Sequence, residues 1–131
     1  MPNMIKKAFT LIELLVVISI IGILVAVSIF GLSGAREASR DAKRKSDLET
    51  IRSGLELYRA DCGTYPIGSS LPSSLIGTKV TGNVCLTSDT YITSVPVDPS
   101  TQLAYIYSGS ATGYQITATL EQSGAYIVTN P

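Results

Sequence analysis

The sequence contains no histidine, which excludes catalysis by a histidine general base and metal binding by imidazole. It also has no excess of either charge, since its ten basic residues are balanced by ten acidic ones. Proteins that bind nucleic acid concentrate unopposed Lys and Arg on one face, so no nucleic-acid partner is predicted. The acidic residues Asp61, Asp89 and Asp98 are scattered and form no catalytic carboxylate pair. We therefore expect neither an enzyme nor a bound cofactor.

Four segments of different composition follow one another along the chain. The first carries two lysines, the second is apolar apart from one glutamate, the third is rich in charge, and the fourth is rich in Gly, Ser, Thr, Pro and Tyr. The corresponding predictions are a leader peptide at 1–8, a membrane-spanning helix at 9–35, an amphipathic continuation of that helix at 36–62, and a domain of loop and antiparallel sheet at 63–131.

The apolar segment has the length of a membrane-spanning helix. No charged residue occurs from Leu14 to Ala35, and these 22 residues would extend about 33 Å, close to the roughly 30 Å of a bilayer core. The alternative is a cleavable signal peptide on a secreted soluble binding module, because Ser33-Gly34-Ala35 offers small residues to signal peptidase. However, the apolar run is longer than the usual stretch of about 7 to 15 residues, and Glu13 interrupts its start.

The helical pattern continues beyond this segment. No Pro occurs from Arg36 to Asp61, and five residues recur at spacings of 3, 4, 3 and 4, which forms one apolar stripe of Leu48, Ile51, Leu55, Tyr58 and Cys62. Between Arg36 and Asp47 the apolar residues are all alanines, so this part is expected to be a solvated neck. Gly63 suits a left-handed helix cap and Pro66 prevents the helix from resuming, so the helix is predicted to end there.

The C-terminal part is predicted to be an antiparallel meander. Apolar and polar residues alternate from Tyr114 to Glu121 with a period of two, which is typical of a half-buried strand. Further strands are predicted at 103–107 and 125–129, with turns that contain glycine between them. The apolar face of this sheet needs a cover, and the stripe from Leu48 to Tyr58 is the candidate. The predicted fold class is therefore α+β, a long N-terminal helix whose second half packs on a small antiparallel sheet.

The junction between the leader and the apolar segment is the most specific feature of the sequence. Its residues are Lys6-Lys7-Ala8-Phe9-Thr10-Leu11-Ile12-Glu13. A charge in hydrocarbon costs about 2.5 to 3.5 kcal/mol or more, so Glu13 needs a partner or an escape to the interface. If the chain is cut after Ala8, the new ammonium group of Phe9 in a neighbouring subunit can pair with Glu13, which would satisfy both charges and fix the axial register. The alternative is a carboxylate that snorkels to the membrane surface without a partner.

At these residues the chain resembles the type IV pilin and type II secretion pseudopilin family, whose precursors share the basic leader, cleavage before Phe and a glutamate at the fifth mature position. The resemblance implies that prepilin peptidase cuts after Ala8 and N-methylates Phe9, and that Phe9 and Glu13 act in assembly. Ala8 stands where the family usually has Gly, and Ala is also small.

The resemblance also implies a location and partners. Before assembly, the mature chain would be anchored in the inner membrane as a single-pass protein with its C-terminal domain outside the cytoplasm. An assembly platform and ATPase would then extract it into a homopolymer in the periplasm or on the cell surface, together with minor pilins or pseudopilins. The basic residues that follow the span argue against this orientation, because the positive-inside rule alone would place the C-terminal domain in the cytoplasm.

A weaker resemblance covers the C-terminal part. Tyr65-Pro66 after the helix, and Asp98-Pro99 followed by Tyr105, look like the pattern of major pseudopilins. This favours a type II secretion pseudopilus over a true surface pilus. Major pseudopilins also tend to hold calcium in a late acidic loop, but the late turn of this chain offers only Glu121, so no metal site is predicted.

The two cysteines, Cys62 and Cys85, are an even number in a domain that the resemblance places outside the cytoplasm. This favours a disulfide, and two small buried thiols are the alternative. The bond would close a loop of about 24 residues and stabilise the domain by roughly 3 kcal/mol in the chain-entropy description.

Overall fold

The structure is a computed structural model that describes residues 9–78 and 85–130. Its elements in chain order are helix α1 at Leu11–Cys62 and strands β1 at Leu75–Ile76, β2 at Thr90–Ile92, β3 at Ile106–Gly109, β4 at Tyr114–Thr119 and β5 at Ala125–Thr129. The chain divides into two compact units, Met1–Arg36 and Glu37–Pro131, called here the first and the second unit. A long helix with small antiparallel sheets confirms the predicted α+β class.

In the first unit, helix α1 presents its apolar side chains to its surroundings. Each large apolar side chain recorded from Phe9 to Leu32 is at least 47% exposed. By length and composition, α1 is a helix that could cross a membrane. An apolar surface of this extent on a single helix is of the kind that lipid or other apolar helices cover.

In the second unit, strands β3, β4 and β5 form an antiparallel sheet in that order. Tyr107 pairs with Ile116, and Ile116 pairs with Val128, so one cross-strand row consists of three buried side chains. The neighbouring row, Ile106 and Thr117 with Ile127, lies on the opposite face because side chains alternate along a strand. The alternation predicted from Tyr114 onward and the strand predicted at 125–129 are both confirmed.

Strand β3 begins later than the prediction of a strand at 103–107. The backbone N–H of Asp98 donates to the Leu103 carbonyl oxygen at 2.9 Å, and the Gln102 N–H donates to the Asp98 carbonyl oxygen at 2.9 Å. These bonds close a turn, and Ala104 makes only an isolated bridge to Val97. The backbone groups are therefore used within the turn before the ladder with β4 begins at Ile106.

The stripe predicted on the helix covers the sheet. All five of its side chains are buried, as expected for residues that share one helix face: Leu48, Ile51, Leu55, Tyr58 and Cys62. Burying one such apolar side chain contributes about 1.5 to 3 kcal/mol. The helix also ends where predicted, because Gly63 adopts a φ of 78° and its N–H donates to the Arg59 carbonyl oxygen at 2.8 Å.

A second, two-stranded sheet of β1 and β2 was not predicted, because its strands have only two and three residues. It explains a glycine near the C-terminal end of the helix, Gly54. A Cβ atom at Gly54 would collide with the side chain of Ile92 in β2. A residue larger than glycine would therefore require the Ile92 side chain to shift.

The prediction of a solvated neck between Arg36 and Asp47 is wrong for one face of the helix, whereas most of the other residues of this segment are exposed. Asp41, Arg44 and Asp47 are each no more than 5% exposed. They continue the buried stripe toward the N-terminus at helical spacing, with charged residues in place of apolar ones. Burial is possible because each side chain meets polar partners from the sheet region, which are described below.

Candidate functional site

Helix α1 begins with a capping box. The N–H and the hydroxyl group of Thr10 donate to Oε2 of Glu13 at 2.9 and 2.7 Å, and the Glu13 N–H donates to Thr10 Oγ1 at 3.3 Å. The spacing Thr-x-x-Glu before an apolar run is a known signature of this motif. The role of Thr10 can therefore be read from the sequence.

The predicted processing and assembly residues lie beside this cap. Phe9 is 81% exposed and Glu13 is also exposed, whereas Ala8 lies outside the described residues. In the part of the chain that the structure describes, no basic side chain forms an ion pair with Glu13. An ionised carboxylate can accept about four hydrogen bonds. Glu13 therefore keeps acceptor capacity for a further donor, and its negative charge is not balanced by a cation of the described residues.

Two hydroxyl groups of the apolar segment are satisfied inside the helix. The hydroxyl groups of Ser19 and Ser28 donate to the carbonyl oxygens of Leu15 and Leu24 at 2.7 and 2.8 Å. Such bonds to the preceding turn allow a hydroxyl group to lie in an apolar environment. Unlike these two hydroxyl groups, the Glu13 carboxylate carries a charge that no described residue balances.

The two cysteines are joined as a disulfide in the structure. Cys62 is the last residue of α1, Cys85 follows it by 23 positions, and both are buried. The N–H of Thr78 donates to Sγ of Cys85 at 3.2 Å. The disulfide therefore links the end of the helix to the segment that precedes β2.

A buried cluster of charges surrounds Arg44, a residue that the sequence interpretation did not single out. Its Nε donates to Asp98 at 2.6 Å, its Nη1 to Asp41 at 2.7 Å, and its Nη2 pairs with Glu121 at 2.8 Å. Nη2 also lies 3.2 Å from Asp98 and 3.3 Å from Ser100 Oγ. One guanidinium group therefore joins the helix to the turn that begins at Asp98 and to the turn between β4 and β5. We call Arg44, Asp41, Asp98 and Glu121 the Arg44 cluster.

The cluster stabilises the ionised form of its carboxyl groups. The bond from Arg44 is the main reason that the pKa of Asp98 lies well below its usual value. Glu121 accepts from Arg40 and from Arg44, which lowers its pKa to about 2. The pKa of Asp41 is also lowered, chiefly because the backbone N–H of Glu121 donates to it.

Carboxylate–tyrosine pairs make further links between the helix and the sheet. The Tyr105 hydroxyl donates to buried Asp47 at 2.9 Å, and the Tyr114 hydroxyl donates to Glu56 at 3.1 Å. Burial and the nearby carboxylate raise the pKa of both tyrosines, so both remain neutral donors. Such pairs satisfy the acids that a helix presents to a core.

The residues of the late turn do not fit calcium. Calcium takes about six to eight oxygen ligands, mainly carboxylates and carbonyl groups. The carboxylates near this turn already accept hydrogen bonds from Arg44 and Arg40, whose positive charges would repel a dication. Among residues 9–78 and 85–130, no group of three or more acids or cysteines is arranged to hold a metal ion.

Comparisons with known proteins match two successive parts of the chain to two family models. Residues 3–33 match the family model of the prokaryotic N-terminal methylation motif, and residues 32–124 match that of type II secretion system protein G. No solved structure matches the chain.

Three curated relatives carry the description "Type II secretion system core protein G". That of Escherichia coli (strain K12) is 30% identical over 72% of this chain and 66% of its own length. That of Pectobacterium carotovorum is 33% identical over 72% and 62%, and that of Pseudomonas aeruginosa is 32% identical over 72% and 68%. The aligned region thus spans less than two thirds of the first two relatives. Because the second family match alone covers residues 32–124, this chain belongs to the type II secretion system protein G family.

Proposed function

We propose that this chain is a structural subunit of a type II secretion pseudopilus and has no catalytic role. The observation that carries the proposal is an uncovered apolar helix, headed by Phe9 and Glu13, in one chain with a protein G domain. A helix with this surface can be stable in a bilayer and then in a bundle of identical helices. Both environments are needed by a subunit that is stored in a membrane before it polymerises.

Processing is the first step of this proposal. Prepilin peptidase removes the leader after Ala8 and methylates the new N-terminus of Phe9, as the methylation-motif match supports. The mature chain is then held in the inner membrane, and its second unit lies outside the cytoplasm. A disulfide between Cys62 and Cys85 supports this location, because such bonds persist in oxidising compartments.

Assembly then depends on the charge of Glu13. In the single chain the carboxylate accepts from Thr10, but no cation of the described residues balances it. The ammonium group of Phe9 in a neighbouring subunit supplies that cation and leaves no buried charge unpaired. The partners are further copies of the chain, minor pseudopilins, and an assembly platform with its ATPase.

The N-terminus of the mature protein tests the processing step. The membrane-extracted protein is sequenced by Edman degradation and weighed by mass spectrometry. N-methylated Phe9 as the first residue is the expected result. A chain that begins at Arg36 would instead identify a signal peptide and a secreted binding module, and would overturn the proposal.

A deletion strain distinguishes a pseudopilus from a surface pilus. We expect the strain to lose secretion of its type II substrates while electron microscopy still shows its surface filaments. Loss of the surface filaments with normal secretion would assign the chain to a true pilus.

A further inference from the structure

We infer that Arg44 is the cation that holds the acidic segments of the second unit together, so that the unit needs no bound divalent cation there. Arg44 would have this role in the folded unit whether or not the chain polymerises. The positions of the carboxylates, the donors that already occupy them, and the burial of the guanidinium group support it.

The first observation is that the cluster joins segments that are far apart in sequence. Asp41 lies on the helix, Asp98 begins the turn after β2, and Glu121 lies between β4 and β5. Each contributes a carboxylate within 2.8 Å of one nitrogen atom of Arg44. Three negative charges this close would repel one another, and a cation in their midst is required to hold them.

The second observation is that the carboxylates in turn position the backbone. One oxygen of Asp98 accepts from the N–H groups of Ser100 and Thr101 at 2.8 and 2.9 Å. Asp41 accepts from the N–H groups of Glu121 and Gln122 at 2.9 and 3.0 Å. A carboxylate accepts about four hydrogen bonds. The N–H groups of Ser100 and Thr101 and two nitrogen atoms of Arg44 together supply that number to Asp98. Few oxygen lone pairs are left for a metal ion.

The third observation is that Arg44 is itself buried, with 3% of its side chain exposed. A second cation, Arg40, binds the outer side of Glu121 and is partly exposed. A planar guanidinium group can donate in three directions at once, which a lysine ammonium on a single flexible stem cannot reproduce with three fixed partners. The cation of this site is thus the Arg44 side chain of the protein itself.

Thermal unfolding of the full chain in detergent tests the inference. All seven tyrosines lie between Tyr58 and Tyr126, so near-ultraviolet circular dichroism reports on the second unit. Four proteins are measured, each in EGTA and in millimolar calcium: the wild type, Arg44→Met, Arg44→Lys and the control Arg36→Met. The control removes the same charge from an exposed position.

We expect the wild-type Tm to be the same in EGTA and in calcium to within about 1 °C. Arg44→Met should lower the Tm by at least about 10 °C, because it leaves buried carboxylates without a cation. The Tm of Arg44→Lys should lie between those of Arg44→Met and the wild type. The control should change the Tm by no more than about 2 °C.

Hydrogen exchange gives a second, local measurement. The amides of Glu121 and Gln122 should be protected in the wild type in EGTA and should exchange at least about tenfold faster in Arg44→Lys. A wild-type Tm that falls by several degrees in EGTA, amides that become protected only in calcium, or an Arg44→Lys chain as stable as the wild type would overturn the inference. If Arg44→Met does not fold, the wild-type and Arg44→Lys measurements decide the question.

Discussion

The two halves of helix α1 differ in the side chains that they expose and bury. In the first unit the helix exposes apolar side chains and contains one acid, Glu13, whose charge no described residue balances. In the second unit the helix buries charged side chains such as Arg44, and each has partners from the sheet region. The first half therefore depends on other molecules for its stability, and the second half depends on the rest of its own chain. Substitutions in the two halves should consequently affect different properties.

Glu13→Ala is expected to have the largest effect, and to affect assembly alone. Loss of one partner of a buried ion pair costs about 3 to 5 kcal/mol, so the amount of assembled filament should decrease by at least about 100-fold. The Tm of the second unit should not change. Filaments sheared from overproducing cells are measured by immunoblot, and unfolding is followed by tyrosine circular dichroism.

Glu37→Ala is the matched control, because it removes an acid from the same helix outside the apolar segment. It should assemble like the wild type. If Glu13→Ala forms filaments in normal amounts, the pairing of Glu13 with a neighbouring Phe9 is wrong, and the snorkelling alternative gains support.

Loss of the disulfide should affect the second unit alone. The double variant Cys62→Ser/Cys85→Ser releases a loop that the bond closes, which should lower the free energy of unfolding by roughly 3 kcal/mol. Urea unfolding of the purified chain measures this loss, and the same titration of the wild type with reductant provides the comparison. A variant with unchanged stability would show that packing around the helix end suffices without the bond.

Two glycines of the helix should respond in opposite directions to the same substitution. Gly54→Ala brings a methyl group against Ile92 and should destabilise the second unit by about 1 to 3 kcal/mol. Gly22→Ala adds a methyl group where nothing lies within 4 Å, so helix propensity should favour it by up to about 1 kcal/mol in detergent. Urea titrations and helical circular dichroism measure the two effects. The double variant Gly54→Ala/Ile92→Ala should be destabilised by less than the sum of the two single variants, because Ile92→Ala removes the group that the new methyl would meet. A neutral Gly54→Ala would argue against the close contact.

Acid should weaken the second unit gradually. The pKa values of Asp98 and Glu121 are lower in the folded chain than their usual values, so these groups stabilise the folded state above about pH 4. This contribution is lost as the pH falls toward about 2, where Glu121 takes up its proton. We expect the Tm to decrease between about pH 5 and pH 2, and to decrease less in Asp98→Asn, which lacks one titrating group. A slope that Asp98→Asn leaves unchanged would contradict this assignment.

The sequence predicted those features that depend on periodicity or on local turn chemistry. The stripe from Leu48 to Cys62, the alternation of β4 and the cap at Gly63 all follow from residues close to each other in the chain. The Arg44 cluster could not be predicted in this way, because 54 residues separate Arg44 from Asp98. At short range, Asp41 and Arg44 look like an ordinary surface pair on a helix. Long-range polar partners leave no periodic signal in one sequence.

The proposed roles of Ala8, Phe9 and Glu13 are a different case. The motif that names them is local and specific, and the chain belongs to the family in which the motif occurs. However, cleavage requires a peptidase and pairing requires a second subunit, so a single chain contains only one side of each interaction. The capping box at Thr10 is the part of this site that one chain can form alone.

The disulfide also changes the consequences of proteolysis. Lys79 lies between the two bonded cysteines, and no lysine or arginine follows it. A trypsin-like protease that cuts after Lys79 would therefore produce two peptides that remain covalently attached, one with the helix and one with the whole three-stranded sheet. The two peptides would separate only after the disulfide is reduced.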